Sequence, residues 1–272
     1  MGKFKFIGFI FYFFYFTSNA QIVELDLRVS SNNVTDLEKQ NNGLFWVATD
    51  EGLNVFFDDE KHVFYSNIKD SLSILNSKIN KLEITFKNNL IALSQDGLSI
   101  FDSNNFNFIQ VKLDSRPISI VEDPNENNYW VATENSGYYV IDSDFKIVDH
   151  HVFDPLNPLS ISTSKLDDIN ENSIIISDLN IYIATNNGLN IFNKKLKTFK
   201  RYFKGKKSKL TSNIITGIER FKEKILIASK NELVIFDIET SRFENINVGT
   251  SAIKSLLSIS ENSFFLRTSE AD

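Results

Sequence analysis

Ile181-Tyr182-Ile183-Ala184-Thr185-Asn186-Asn187-Gly188-Leu189-Asn190-Ile191-Phe192 reads as an apolar strand, a Thr, a tight polar turn closed by Gly, and a second apolar strand. The halves are too short for helices, are rich in β-branched residues and are separated by turn residues, which is the pattern of a hairpin. Gly at the end of the turn supplies the positive φ that a twisted two-strand connection requires. Leu44-Phe45-Trp46-Val47-Ala48-Thr49-Asp50-Glu51-Gly52-Leu53-Asn54-Val55-Phe56 is nearly the same stretch, and Leu90-Ile91-Ala92-Leu93-Ser94-Gln95-Asp96-Gly97-Leu98-Ser99-Ile100-Phe101 repeats it again. Tyr129-Trp130-Val131-Ala132-Thr133 leads through Gly137 to Val140-Ile141 with Ser136 as an extra turn residue. In Ile225-Leu226-Ile227-Ala228-Ser229-Lys230-Asn231-Glu232-Leu233-Val234-Ile235-Phe236 the Gly is replaced by Glu232, so Asn231 is expected to take the left-handed conformation. A sixth copy, from Phe264 through Thr268, stops at Asp272 before its return strand.

The anchor hydroxyls Thr49, Ser94, Thr133, Thr185, Ser229 and Thr268 recur at a period of about 40 to 50 residues, which for short strands is the period of a propeller blade. Helical repeats of that length carry a 3.6-residue apolar pattern, and none is present. The first unit predicts four strands: an inner one around Val34 to Leu37, the pair flanking Asp50-Glu51-Gly52, and an outer one around His62 to Tyr65. The expected fold is all-β, a β-propeller of four-stranded antiparallel blades, incomplete, with five blades and part of a sixth. A ring of ordinary size needs at least one further blade, so residues 21–272 are expected to be the N-terminal part of a propeller domain, truncated in the sixth repeat.

The composition, 42% hydrophobic and 24% charged, is that of a globular chain. Seven of its Phe crowd the first sixteen residues. Lys3 and Lys5, the apolar run Phe6 to Phe16, and Ser18-Asn19-Ala20 read together as a signal peptide over residues 1–20, cleaved between Ala20 and Gln21. The apolar run falls short of the about 20 residues a membrane helix needs. The chain after residue 20 is therefore expected to be exported. Removing the two lysines takes the formal net charge from −6 to −8, which disfavours nucleic acid as a partner. Without cysteine the chain has no disulfide, thiolate ligand or thiol nucleophile, and no cofactor is expected.

Gln21 to Val29 alternates Val23, Leu25, Leu27 and Val29 with Glu24, Asp26 and Arg28, a half-buried strand that by analogy completes the last blade of a closed ring. Ser71-Leu72-Ser73-Ile74-Leu75-Asn76, Pro158-Leu159-Ser160-Ile161-Ser162 and Leu210-Thr211-Ser212-Asn213 each precede an inner strand. They read as inter-blade loops whose side chains satisfy the backbone locally.

Phe45-Trp46-Val47-Ala48-Thr49-Asp50-Glu51-Gly52-Leu53-Asn54, the Glu122-Asp123 pair ahead of Tyr129-Trp130-Val131-Ala132-Thr133, and Ser31-Asn32-Asn33-Val34 resemble the two-component regulator propeller repeat. The similarity covers nearly all of residues 21–272, with departures at Ser136, Glu232 and Ala271. The resemblance implies the periplasmic sensor of a hybrid two-component system that recognises oligosaccharides, with a second propeller, an immunoglobulin-like domain, a membrane helix, a kinase and a regulator downstream in the same protein, and with a homodimer as one arrangement. A similar repeat occurs in the cell-surface propeller subunit of the type IX secretion attachment complex, which is the alternative. A propeller-fold polysaccharide lyase or hydrolase is a third reading.

Trp46 and Trp130 have the flat faces that stack on pyranose rings, but they share their repeat position with Ile91, Tyr182, Leu226 and Phe265, which marks them as core. Lys194 to Lys209 holds nine basic residues and no acid, interleaved with Phe199, Tyr202 and Phe203. The run reads as a solvated outer strand and loop of the fourth blade, and also offers an anionic glycan or lipopolysaccharide a positive field through Lys200, Arg201, Tyr202 and Lys204. His150 and His151 are strand neighbours that face opposite ways, and His62 stands alone, so no metal site is expected. Asp58-Asp59-Glu60 and Asp167-Asp168 are turn neighbours without the spacing of a catalytic pair, and no nucleophile elbow is present. The chain is expected to bind its ligand without turning it over.

Overall fold

The computed structural model describes residues 28–58, 60–166, 173–229, 232–246, 253–260 and 263–268. The signal peptide with its Ala20–Gln21 cleavage site, residues 21–27, Asp59, Asp167-Asp168, Asn231 and residues 269–272 lie outside them. The described part is all-β: five four-stranded antiparallel sheets and a two-stranded hairpin, each built from consecutive strands.

Sheet 1 runs β1 (Val34–Lys39), β2 (Phe45–Thr49), β3 (Gly52–Phe57), β4 (Glu60–Phe64), matching the four strands expected, with the outer one beginning two residues early. Sheet 2 follows as β5 (Ile79–Ile84), β6 (Leu90–Ser94), β7 (Gly97–Asp102), β8 (Asn107–Lys112), and sheet 3 as β9 (Pro117–Asp123), β10 (Asn128–Thr133), β11 (Tyr138–Asp142), β12 (Ile147–His151). Sheet 4 is β13 (Ile174–Ile176), β14 (Asn180–Thr185), β15 (Gly188–Asn193), β16 (Thr198–Tyr202), and sheet 5 is β17 (Gly217–Phe221), β18 (Lys224–Ser229), β19 (Glu232–Asp237), β20 (Arg242–Ile246). The hairpin β21 (Ile253–Ser260) and β22 (Ser263–Thr268) opens a sixth unit.

Neighbouring sheets bury each other's faces in chain order. In β6, Leu90 and Ala92 pack with Trp46, Ala48 and Leu53 of sheet 1, while Ile91 and Leu93 pack with Tyr129 and Val131 of sheet 3. In β14, Ile181 and Ile183 meet Trp130 and Ala132, and Tyr182 and Ala184 meet Ile225 and Ile227. In β18, Leu226 and Ala228 turn to Ile253 and Leu256. This is why β6, β10, β14 and β18 are continuous apolar runs: successive side chains point to opposite faces, and both faces are covered. Each fully buried Leu or Ile contributes about 1.5–3 kcal/mol. Contact between successive sheets is made by the first strand of the later one, with β5 on β1 and β2, β9 on β6, β17 on β13 and β14, and β21 on β17 and β18. The arrangement is propeller-like.

In sheets 1 to 4 the anchor hydroxyl stabilises the central hairpin by hydrogen bonding to the carbonyl of the turn Gly. Thr49 donates to Gly52 at 2.8 Å, Ser94 to Gly97 at 3.2 Å, Thr133 to Gly137 at 2.8 Å and Thr185 to Gly188 at 2.8 Å. In sheet 5, where the Gly is missing, Ser229 donates instead to the Ile214 carbonyl at 2.8 Å. The third strand then fastens the segment entering its own sheet. Asn54 takes the Ser30 N–H at 2.9 Å, Ser99 the Leu75 N–H at 2.8 Å, and Asn190 the Ser162 N–H at 2.8 Å. Arg28 and Val29, the described end of the expected N-terminal strand, are in no strand.

Two loops share one hydrogen-bonded form. Ser73 Oγ bonds the Asn67 and Ile74 carbonyls as Ser160 Oγ bonds those of Asp154 and Ile161, and Asp70 and Asn157 cap the N–H groups of Leu72 and Leu159. Each loop then adds a backbone bond to the outer strand of the sheet it enters, from Phe108 N–H to Leu72 at 2.9 Å and from Phe199 N–H to Leu159 at 2.8 Å. These loops are scaffold, as their Ser and Asn content implied.

Candidate ligand-binding cleft

The run of Lys and Arg singled out in the sequence surrounds β16, the outer strand of sheet 4. Its members separate into three groups. Lys194 is 5% exposed and forms an ion pair at 2.5 Å with Asp123, itself fully buried at the end of β9. It is no part of a solvated face, because the adjacent sheet closes over it. Lys197 pairs with Glu126 at 3.5 Å. Arg201 is committed to the linker: its Nε donates to the Ser160 carbonyl at 2.5 Å and its second nitrogen to the Asn157 carbonyl at 2.5 Å and Ser160 Oγ at 2.6 Å. Gln110, at the same repeat position in sheet 2, does this with one bond, to the Ser73 carbonyl at 2.8 Å. The remaining lysines are exposed.

Lys200, Arg201 and Tyr202 nonetheless come together at a cleft of about 660 Å³ between the outer parts of sheets 4 and 5, while Lys204 is not among its lining residues and lies exposed in the loop that follows Phe203. Rings of Tyr182, Phe199, Tyr202, Phe203 and Phe236 form much of its wall, and Asn180, Asn193, Thr198 and Ser241 bring amides and hydroxyls. Lys200 and Tyr202 are two apart on one strand and so share a face, placing the Lys200 ammonium 5.0 Å from the centre of the Tyr202 ring. Tyr202 is held by Phe243 at 5.0 Å and Phe236 at 5.8 Å between ring centres. Burial pushes the Tyr182 phenol up, so it remains a neutral group near neutral pH. Aromatic faces, amides, hydroxyls and one ammonium in a concave site match the chemistry of a saccharide, whose apolar ring faces stack and whose hydroxyls hydrogen-bond. A second cleft of about 930 Å³ opens near the linker from Ser66 to Asn76 and the segment from Lys112 to Arg116, but no aromatic ring lines it.

The contribution of sheet 5, Phe236, Ile238 and Ser241, was not legible in the sequence, since nothing local links those positions to β16. The commitment of Arg201 had a signal: the echo between Asn67 to Ile74 and Asp154 to Ile161, with Gln110 and Arg201 at matching places. Trp46 and Trp130 are 0% and 2% exposed, in the core as expected.

The histidines stay apart. His150 stacks on Tyr139 with ring centres 3.8 Å apart, and His151 on Trp130 at 5.0 Å, on the opposite face of β12. His62 lies 3.9 Å from Glu60. His151 is also packed against Phe192 and Phe199, and burial lowers its pKa despite the upward pull of Asp149, with His150 and Lys197 adding to the depression. The unfolded chain therefore takes up a proton first as pH falls through about 6.5, and stability declines from there towards the folded-state pKa. The decline from this one group is at most about 1.4 kcal/mol per pH unit. Urea midpoints at neutral and mildly acid pH should show it, and His151→Phe should remove that share while preserving the aromatic packing.

No family model matches the sequence, and no curated protein matches it. Solved structures do. The extracellular domain assigned to the hybrid two component system BT3049 from B. thetaiotaomicron superposes with a TM-score of 0.60 at 19% identity, covering 88% of this chain and 33% of that one. The extracellular domain assigned to the hybrid two component system BT4673 of the same organism gives a TM-score of 0.59 at 15% identity, covering 87% and 34%. This chain has the fold of those extracellular domains. It spans about a third of their length. A computationally designed protein, Ika8, is also similar, with a TM-score of 0.57 at 12% identity, covering 87% of this chain and 68% of that one. Among the described residues no helix is long and apolar enough to cross a membrane.

Proposed function

We propose that residues 21–272 are the ligand-recognising front of an exported sensor, released from the signal peptide 1–20 by cleavage between Ala20 and Gln21. The domain is a β-propeller with five blades and part of a sixth, and its ligand is an oligosaccharide. The observation that carries this reading is the fold shared with extracellular domains of hybrid two-component systems, joined to an aromatic and polar cleft. A second propeller and a kinase further along the same protein receive the signal, within a homodimer. The ligand acts by binding one arrangement of these parts more tightly than the other, since only a difference in affinity shifts an equilibrium.

A glycan array followed by calorimetry on the exported region tests the reading. Saturable binding of an oligosaccharide without its cleavage is the expected result. Release of shorter products overturns it in favour of a lyase or hydrolase. Silence towards all oligosaccharides overturns it in favour of the secretion-complex subunit.

A further inference from the structure

We propose that the cleft between sheets 4 and 5 takes an anionic saccharide, with a sugar ring against Tyr202 and Phe203 and its carboxylate, sulfate or phosphate at the ammonium groups of Lys200 and Lys204. This rests on the saccharide reading above and adds the charge of the ligand and its place.

The argument begins with which charges are already used. Lys194 and Lys197 have carboxylate partners, and Arg201 has the linker carbonyls. Lys195, Lys200, Lys204, Lys206, Lys207 and Lys209 are exposed, and no carboxylate among the described residues pairs with them. In a chain with a net charge of −6, six positive charges within sixteen residues thus have no carboxylate partner among the described residues. Like charges so close repel each other, and an anion placed among them relieves that repulsion and gains from their summed potential.

Of these six, Lys200 lines a concavity. Lys200 is fixed over the Tyr202 ring, and Phe203, 42% exposed, presents a second ring next to Lys204. An anion held by the ammonium places the remainder of its molecule over the rings. The cleft of about 660 Å³ falls within the range of about 300–1,000 Å³ for small-ligand sites. A flat anionic membrane would meet the exposed lysines but leave the cleft empty, which favours a saccharide over a lipid surface.

Calorimetry on the exported region with a galacturonic acid tetrasaccharide and a sulfated galactose tetrasaccharide, each beside its neutral methyl-esterified or desulfated form, decides the matter. At least one anionic form should bind, about tenfold or more tighter than its neutral counterpart, and weaken as salt rises. Lys200→Gln should weaken it about tenfold and Lys200→Arg should largely restore it, while thermal unfolding stays unchanged because the side chain is exposed. Phe203→Ser should weaken it severalfold. Equal affinity for charged and neutral forms overturns the proposal. So does a saccharide that binds Lys200→Gln and Lys204→Gln as tightly as the unaltered chain, which leaves the sensor reading standing with its site elsewhere. Binding to phosphatidylglycerol vesicles with none to any saccharide overturns both.

Discussion

Asp123→Ala is expected to destabilise the fold by about 3–5 kcal/mol, because it leaves the Lys194 ammonium buried without a counter-charge. The pair spans sheets 3 and 4 at the end away from the Gly turns, with Asp123 fully buried and Lys194 5% exposed. Asp123 also accepts the Asn125 N–H at 3.1 Å and the Glu126 N–H at 3.3 Å, so the turn after β9 loosens with it. Lys194→Met alone should cost less, since those two N–H groups still satisfy one oxygen of the carboxylate. Changing both, to Asp123→Val with Lys194→Met, should recover most of the loss, because apolar side chains of similar volume replace buried ion pairs at little or no net cost. Urea unfolding of the two single variants and the double variant measures the coupling. Additive losses would show that the ion pair is not what matters there.

The second large effect is at Gly97, where Ala should cost about 3 kcal/mol. Its φ is +138°, a conformation side chains rarely adopt, and an added Cβ would lie 2.1 Å from the Val111 carbonyl oxygen. That oxygen belongs to β8, so relief of the clash pulls the outer strand away from the turn and strains the bond from Ser94 Oγ to the Gly97 carbonyl. Gly43 provides the comparison. Its φ is +94°, but the nearest atom to an added Cβ is Phe57 Cε2 at 3.5 Å, an ordinary contact. Gly43→Ala should therefore lose only the backbone strain, about 1–2 kcal/mol. Chemical denaturation of both variants separates steric clash from strain.

Reading the repeat gave the four strands of the first unit and the central hairpin of each of the next four, because their signal is local. Leu90 to Ser94 followed by Gly97 to Phe101 contains its own turn chemistry and its own apolar pattern, and needs no distant partner to be a hairpin. The loop echo at Ser73 and Ser160 was legible for the same reason. What the candidate site contains was less so. Lys194, Lys200 and Arg201 look alike in the sequence as members of one basic run, yet one is buried, one exposed and one bound to backbone. Likewise Glu122 and Asp123 are neighbours that point to opposite faces. Glu122 takes the Phe86 N–H of the preceding unit at 2.8 Å, and Asp123 takes Lys194 of the following one.

The sequence by itself determined the central strands, their turns and the apolar character of both faces of those strands, since these follow from side-chain alternation and backbone dihedrals within a dozen or so residues. Tertiary structure decided which charges remain available to a ligand. Arg201 finds its acceptors 41 and 44 residues away, and Lys194 finds its carboxylate on another sheet, so their roles depend on how the sheets come together. A buried charge has to be matched wherever the fold places it, and no local pattern records that match.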